Sequence, residues 1–151
     1  MKKMICFDMD GTIADLYNVP NWLEMLQAEN PLPYEIAAPM WDMDKLNAIL
    51  NKLADNGWEI RVITWLSKDS SENYKNAVRK AKADWLAKYN FPIAKAHMVA
   101  YGTTKANAVR KAADYAILID DNKQVCNGWT LGKTINPEEV NIIQELENLL
   151  Q

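Results

Sequence analysis

Two aspartates, Asp8 and Asp10, follow directly on the hydrophobic run Met4-Ile5-Cys6-Phe7, with Met9 between them and Gly11 and Thr12 behind. Carboxylates this close repel: at an effective dielectric of about 20, two unit charges about 4 Å apart cost ~4 kcal/mol. A carboxylate pair of this kind can supply a nucleophile and a general acid and base to one reaction. Either use calls for a cation close by. Polar residues recur at the ends of later hydrophobic runs. Thr64 closes Arg61-Val62-Ile63, with Trp65 next, and Asp120-Asp121 closes Tyr115-Ala116-Ile117-Leu118-Ile119. Lys105 stands in GTTKANAV, ahead of that last run.

The elements that must position these residues read as alternating strands and helices. Strands are expected at 4–8, 58–64, 96–100 and 115–120, with a short fifth near 130–135. Leu46, Ile49, Leu50 and Leu53 give a helical stripe over 42–56, and Gly57 suits the residue after its end. A long amphipathic helix is expected over 71–90, stopped near Pro92, and a short one over 105–113. Asn136 as cap, Pro137 and Glu139 signal the start of a last helix through Val140, Ile143, Leu146, Leu149 and Leu150. Residues 17–41 hold four of the six prolines and read as an irregular insertion with one short helix around 22–27. This order predicts a three-layer α/β/α sandwich around a central parallel sheet. In such sheets chemistry gathers at the carboxyl ends of the strands, where Asp8, Thr64 and Asp120 would fall.

Taken together, the motifs resemble those of the haloacid dehalogenase superfamily of phosphohydrolases. Its first motif, DxDGT, appears as Asp8-Met9-Asp10-Gly11-Thr12, its second as Thr64, its third as Lys105 and its fourth as Asp120-Asp121. The resemblance covers the chain except residues 17–41. It implies a Rossmann-like fold in one domain over 1–151, with 17–41 as a short cap. It also implies that Asp8 is the nucleophile and Asp10 the general acid and base. Lys105 would supply fixed positive charge, and Thr64, Trp65 and Lys105 would meet the substrate. Mg²⁺ would be held by Asp8, the backbone carbonyl of Asp10 and Asp120, with Asp121 behind a ligand water or orienting Lys105. Such an ion takes oxygen ligands octahedrally and offsets the crowded carboxylates.

Composition narrows the rest. The 151 residues are 49% hydrophobic and 25% charged, with a formal net charge of −3. That is an ordinary balance for a globular protein and gives no overall attraction to nucleic acid. Two cysteines, Cys6 and Cys126, and the single His97 offer no zinc spacing. No run approaches the 18 or so apolar residues that cross a membrane, and the early acidic residues do not read as a signal peptide, so a cytoplasmic protein is expected. The segment GWTLGKT at 128–134 has the wrong glycine spacing for a phosphate-binding loop. The lysines and arginine of 71–90 (Lys75, Arg79, Lys80, Lys82, Lys88) could follow a polynucleotide backbone, but Glu72 and Asp84 among them favour a solvated face. His97 is expected to be structural.

The substrate is expected to be a small phosphorylated molecule, with nucleotides favoured. The Lys-containing turn followed by ADYAILIDDN resembles the 5′(3′)-deoxyribonucleotidase branch, and Tyr17, Trp22, Tyr34, Trp41 and Trp65 offer rings for a base or for packing. The segment 17–41 is shorter than that branch's helical cap. A more open site would also admit a polynucleotide 3′-phosphate or a protein phosphate. Two non-hydrolytic readings compete: a receiver-like phosphoacceptor, whose motif order differs, and a nucleotide-binding module, although the catalytic set is complete.

Overall fold

The computed structural model describes residues 1–151. Five strands form one all-parallel sheet in the order β3-β2-β1-β4-β5, namely β1 Lys3–Phe7, β2 Trp58–Trp65, β3 Lys95–Val99, β4 Tyr115–Ile119 and β5 Thr134–Ile135. The helices are α1 Trp22–Gln27, α2 Leu32–Ile36, α3 Met43–Asp55, α4 Glu72–Lys88, α5 Lys123–Asn127 and α6 Ile142–Asn148. β1 is central: Ile5 sits opposite Ile60 of β2 and Ile117 of β4.

Side chains alternate along a strand, so each strand serves both faces. Ile5, Phe7, Ile60, Val62, Ile117 and Ile119 join one core with α3, α6 and Trp85 and Leu86 of α4. Met4, Cys6, Ile63, Ala116 and Leu118 form the opposite core with Ala106, Val109 and Trp129. The hydrophobic stripe of α3 is buried at Leu46, Ile49, Leu50 and Leu53. Asp42 caps it by accepting from the Lys45 amide, and Gly57 follows at φ +93°. Ser71 caps α4 by accepting from the Tyr74 amide at 3.1 Å.

Four expectations change. The helix expected over 105–113 is only the 3₁₀ turn Lys105–Ala108. No side chain caps its start, and Ala106 and Val109, three apart, both pack on the sheet, a spacing that suits a threefold turn. The last helix starts at Ile142, because two asparagines compete to begin it. The Asn136 side chain accepts from Glu138 N and closes one turn, whereas Asn141 accepts from Ile143 N and Gln144 N and caps α6. The fifth strand shrinks to two residues. Its approach, GWTLGKT, runs beside β4 with no helix after it. A Cβ on Gly132 would lie 2.5 Å from the Ala116 carbonyl oxygen, so only glycine allows this contact.

The fourth change is the insertion, which holds a second helix. Pro31 and Pro33 flank the first residue of α2, where the missing N–H costs nothing. The segment is fastened at both ends. Ala14 bridges Pro39, Asp15 N donates to Ala38 O at 2.8 Å, and Met40 N donates to Ile13 O at 2.9 Å. The indoles of Trp41 and Trp85 donate to Thr12 O and Ala37 O, both at 2.8 Å. At its far side, Tyr74 OH donates to Asn30 O at 3.0 Å, and the Ser71 hydroxyl donates to the Glu29 carboxylate. No helix of the protein is long and apolar enough to cross a membrane.

Candidate active site

The parallel sheet brings Asp8, Thr64 and Asp120 to one edge, and the alternation of side chains decides which layer each one meets. Asp8 and Asp120 continue the series Met4-Cys6 and Ala116-Leu118, so they face the 3₁₀ turn. There the buried Lys105 ammonium donates to Asp8 Oδ1 at 2.9 Å and to Asp120 Oδ2 at 2.7 Å. Thr64 continues Ile60-Val62 and faces α4. From α4, Lys82 donates to Thr64 Oγ1 at 2.6 Å, to Asp10 Oδ2 at 3.0 Å and to the Trp65 carbonyl at 2.8 Å.

Lys82 corrects the sequence reading. It is 1% exposed, not part of a solvated basic face. The signal was present: Tyr74, Val78, Ala81 and Trp85 define the buried stripe of α4, and Lys82 lies four residues after Val78 and three before Trp85, inside that stripe. A lysine there must find acceptors within the protein.

The turn after β1 is shaped by Gly11 at φ +79°, where a Cβ would lie 2.5 Å from Asp121 Oδ2 and 2.9 Å from Tyr17 Cε2. Thr12, fully buried, stitches the first and fourth motifs together. Its hydroxyl lies 3.1 Å from Asp8 Oδ2 and 3.3 Å from Asp121 Oδ1 and accepts from Asp121 N at 3.2 Å. Asp120 Oδ1 accepts from Asn122 N at 2.9 Å.

Charge is unbalanced here. Four carboxylates (Asp8, Asp10, Asp120, Asp121) face two ammonium groups (Lys82, Lys105), a surplus of two negative charges when all are ionised. Burial, then the charge of Asp8, push Asp120 up to about 6 and Asp121 up to about 8. Burial also raises Asp10, against the opposing pull of Lys82. For Lys105, burial alone would lower the ammonium, but Asp8 and Asp120 outweigh it and hold it above its usual value.

Carboxylate oxygens of Asp8, Asp120 and Asp121 lie within 4.8 Å of one another. Hard oxygen donors, a deficit of positive charge and carboxyls raised by burial and by one another fit Mg²⁺. His97 lies elsewhere, on β3, 3.2 Å from Arg61 Nη1, and burial followed by the Arg61 charge lowers it.

A cavity of about 320 Å³ opens over these groups. Asp8, Asp10, Lys105, Asp120 and Asp121 form part of its lining, and Tyr17, Trp22 and Tyr34 of the insertion and Trp65 of β2 add rings. Trp65 is fixed by its Nε1 donating to Thr103 O at 3.0 Å, with Lys105 Nζ 5.4 Å from its ring centre. Trp41 lies outside the cavity lining and braces Thr12 instead.

No family model matches the chain, and no curated protein matches it. Among solved structures, a D,D-heptose 1,7-bisphosphate phosphatase from Burkholderia thailandensis is similar, with 13% identity over 99% of each chain and a TM-score of 0.58. At that identity the likeness establishes the fold, and the chemistry has to be argued from the side chains.

Proposed function

We propose that the protein is a Mg²⁺-dependent phosphomonoesterase of the haloacid dehalogenase type, acting through an aspartyl phosphate on small phosphorylated molecules, nucleoside monophosphates foremost. The observation that carries this reading is Lys105 held between Asp8 and Asp120, with Asp10 held by a second buried lysine beside Thr64. The fold shared with a bisphosphate phosphatase supports it.

In the first step an Asp8 oxygen bonds to phosphorus as the ester P–O bond breaks, and Asp10 gives its proton to the leaving oxygen. In the second, Asp10 takes a proton from the water that attacks phosphorus, which frees phosphate and the Asp8 carboxylate. Burial pushes Asp10 up, against the pull of Lys82, which is the direction a proton-donating carboxyl needs. Lys82 has only donors, so Thr64 Oγ accepts from it and keeps its own hydrogen free, although Thr64 is 1% exposed and lies behind the cavity lining. Lys105 and Thr64 then meet the charge that spreads over the phosphoryl group. Asp8, Asp120 and the Asp10 carbonyl would hold the Mg²⁺, with Asp121 behind a ligand water. When bound, the ion offsets the surplus negative charge and polarises the phosphoryl oxygens.

The cavity favours a small substrate over a polymer end or a protein. At about 320 Å³ it stands at the low end of the ~300–1,000 Å³ range of ligand pockets, and α1 and α2 wall it. The test is phosphate release from deoxynucleotides, ribonucleotides, sugar phosphates and 3′-phosphorylated oligonucleotides, with Mg²⁺ or with EDTA. Release that needs Mg²⁺ and falls to background in Asp8→Asn is expected. An Asp8→Asn protein that still turns over near the wild-type rate would overturn the reading.

A further inference from the structure

Two aromatic pairs line the cavity, one from the insertion and one from the body of the protein. Tyr17 and Trp22 meet edge to face, with ring centres 5.0 Å apart. Trp65 and Tyr101 meet at a tilt of 54°, also 5.0 Å apart. Tyr101 belongs to the turn after β3, far in sequence from every motif residue except Lys105. All four rings line the same cavity as Asp8.

Their exposure is the informative part. Tyr17 is 50% exposed and Tyr101 54%, whereas the buried hydrophobic residues of the sheet core are close to fully covered. Rings that only packed the insertion onto the body would bury themselves against each other. These two stay about half exposed while lining the cavity that Asp8 and Lys105 also line. Tyr101 packs on Trp65, whose Nε1 donates to Thr103 O, and Lys68 Nζ lies 5.7 Å from the Tyr101 ring centre. Burial, then the charges of Asp10, Asp121 and Asp8, push the Tyr17 phenol up, with Tyr101 adding a smaller push. An anchored, half-open aromatic wall offers a flat face at little further entropic cost.

We propose that Tyr101, with Tyr17 opposite, reads the leaving group of the substrate and selects one that carries a flat aromatic ring. This rests on the phosphomonoesterase reading and assigns substrate choice to the β3 turn as well as to the insertion. Stacking on a phosphate-anchored ligand is sequence-tolerant, because every aromatic heterocycle presents a π-face. The site would therefore grade substrates by the presence of a ring more than by its identity.

A matched pair of substrates tests this: deoxyadenosine 5′-monophosphate and 2-deoxyribose 5-phosphate, which differ by the base and share the same leaving oxygen. Wild type is expected to prefer the nucleotide by about tenfold or more in kcat/KM, mostly through KM. Tyr101→Ala should narrow that ratio at least about fivefold, and Tyr101→Phe, which keeps the ring, should hold it within about twofold. Equal kcat/KM for the two compounds in wild type, or a ratio that survives Tyr101→Ala, overturns the proposal and leaves the phosphatase reading standing. Failure of that reading looks different: neither compound nor p-nitrophenyl phosphate releases phosphate with wild type, and the proposal falls with it.

Discussion

Lys82 and Lys105 enter the same site from opposite faces of the sheet. Lys105 rises from the 3₁₀ turn on one side to bind Asp8 and Asp120, and Lys82 comes from α4 on the other to bind Asp10 and Thr64. Each of the two aspartates after β1 thus has its own ammonium, and their mutual repulsion is divided between two layers of the protein.

Lys82→Met removes the cation that opposes the burial of Asp10. The expected result is a fall in kcat of about 10²-fold, the usual loss when one preorganised donor goes. The limb of the pH–rate profile set by deprotonation of Asp10 should move to higher pH, because Lys82 now lowers that group. Steady-state phosphate release from pH 5 to 9 checks both, and an unchanged profile would count against the assignment.

Stability of the metal-free protein should fall with rising pH. Asp120 is raised to about 6 and Asp121 to about 8, from a usual value of 3.8. The folded state therefore binds protons more tightly than the unfolded chain. Its advantage is whole below the unfolded value and is lost as pH climbs through about 6 and then about 8. Thermal melts in EDTA should show Tm dropping between pH 5 and 9. Added Mg²⁺ should raise Tm more at pH 8.5 than at 5.5, since it takes the place of the protons. A Tm that rises across this range in EDTA would contradict the charge surplus.

Asp121→Asn keeps the shape of a carboxyl that is costly to ionise. Without metal at pH 9, Tm should rise above that of wild type. The Mg²⁺ concentration that gives half-maximal protection should increase about tenfold, as when other groups behind metal ligands are removed. Melts across a Mg²⁺ series measure both effects, and a lowered Tm at pH 9 would refute the first.

Gly11→Ala should destabilise the protein by about 1–3 kcal/mol. Alanine at φ +79° is strained, and its Cβ would collide with Asp121 Oδ2 at 2.5 Å. Urea unfolding gives the number, and loss of Mg²⁺ protection in the same variant would show that Asp121 was displaced.

The order of strands and helices could be read from the sequence because β1 and β4 are apolar runs closed by aspartates, and β2 alternates before its apolar end Val62-Ile63 is closed by Thr64. Asp8, Thr64 and Asp120 were placed by the same feature. Lys82 is hidden in the sequence among its charged neighbours Arg79, Lys80 and Asp84, although the stripe of Val78 and Trp85 carries it inward. α2 was missed because Pro31 and Pro33 read as breakers, although at a first turn they break nothing. Asn136 and Asn141 are both good caps, and local sequence does not decide between them; packing of Ile142 and Leu146 into the core does. Tyr101 carries no motif at all, and its place beside Trp65 follows only from the pairing of β3 with β2.

The fastening of residues 14–41 by backbone bonds, by two indoles and by the Glu29–Ser71 contact leaves that segment without a free hinge. On the phosphomonoesterase reading, reactant and product would pass beside Leu23 and Tyr101, two cavity-lining residues that are both about half exposed, without a lid step. The same reading predicts that kcat is independent of solvent viscosity when bond making at phosphorus is slow, and a viscosity dependence under those conditions would point to a moving segment instead.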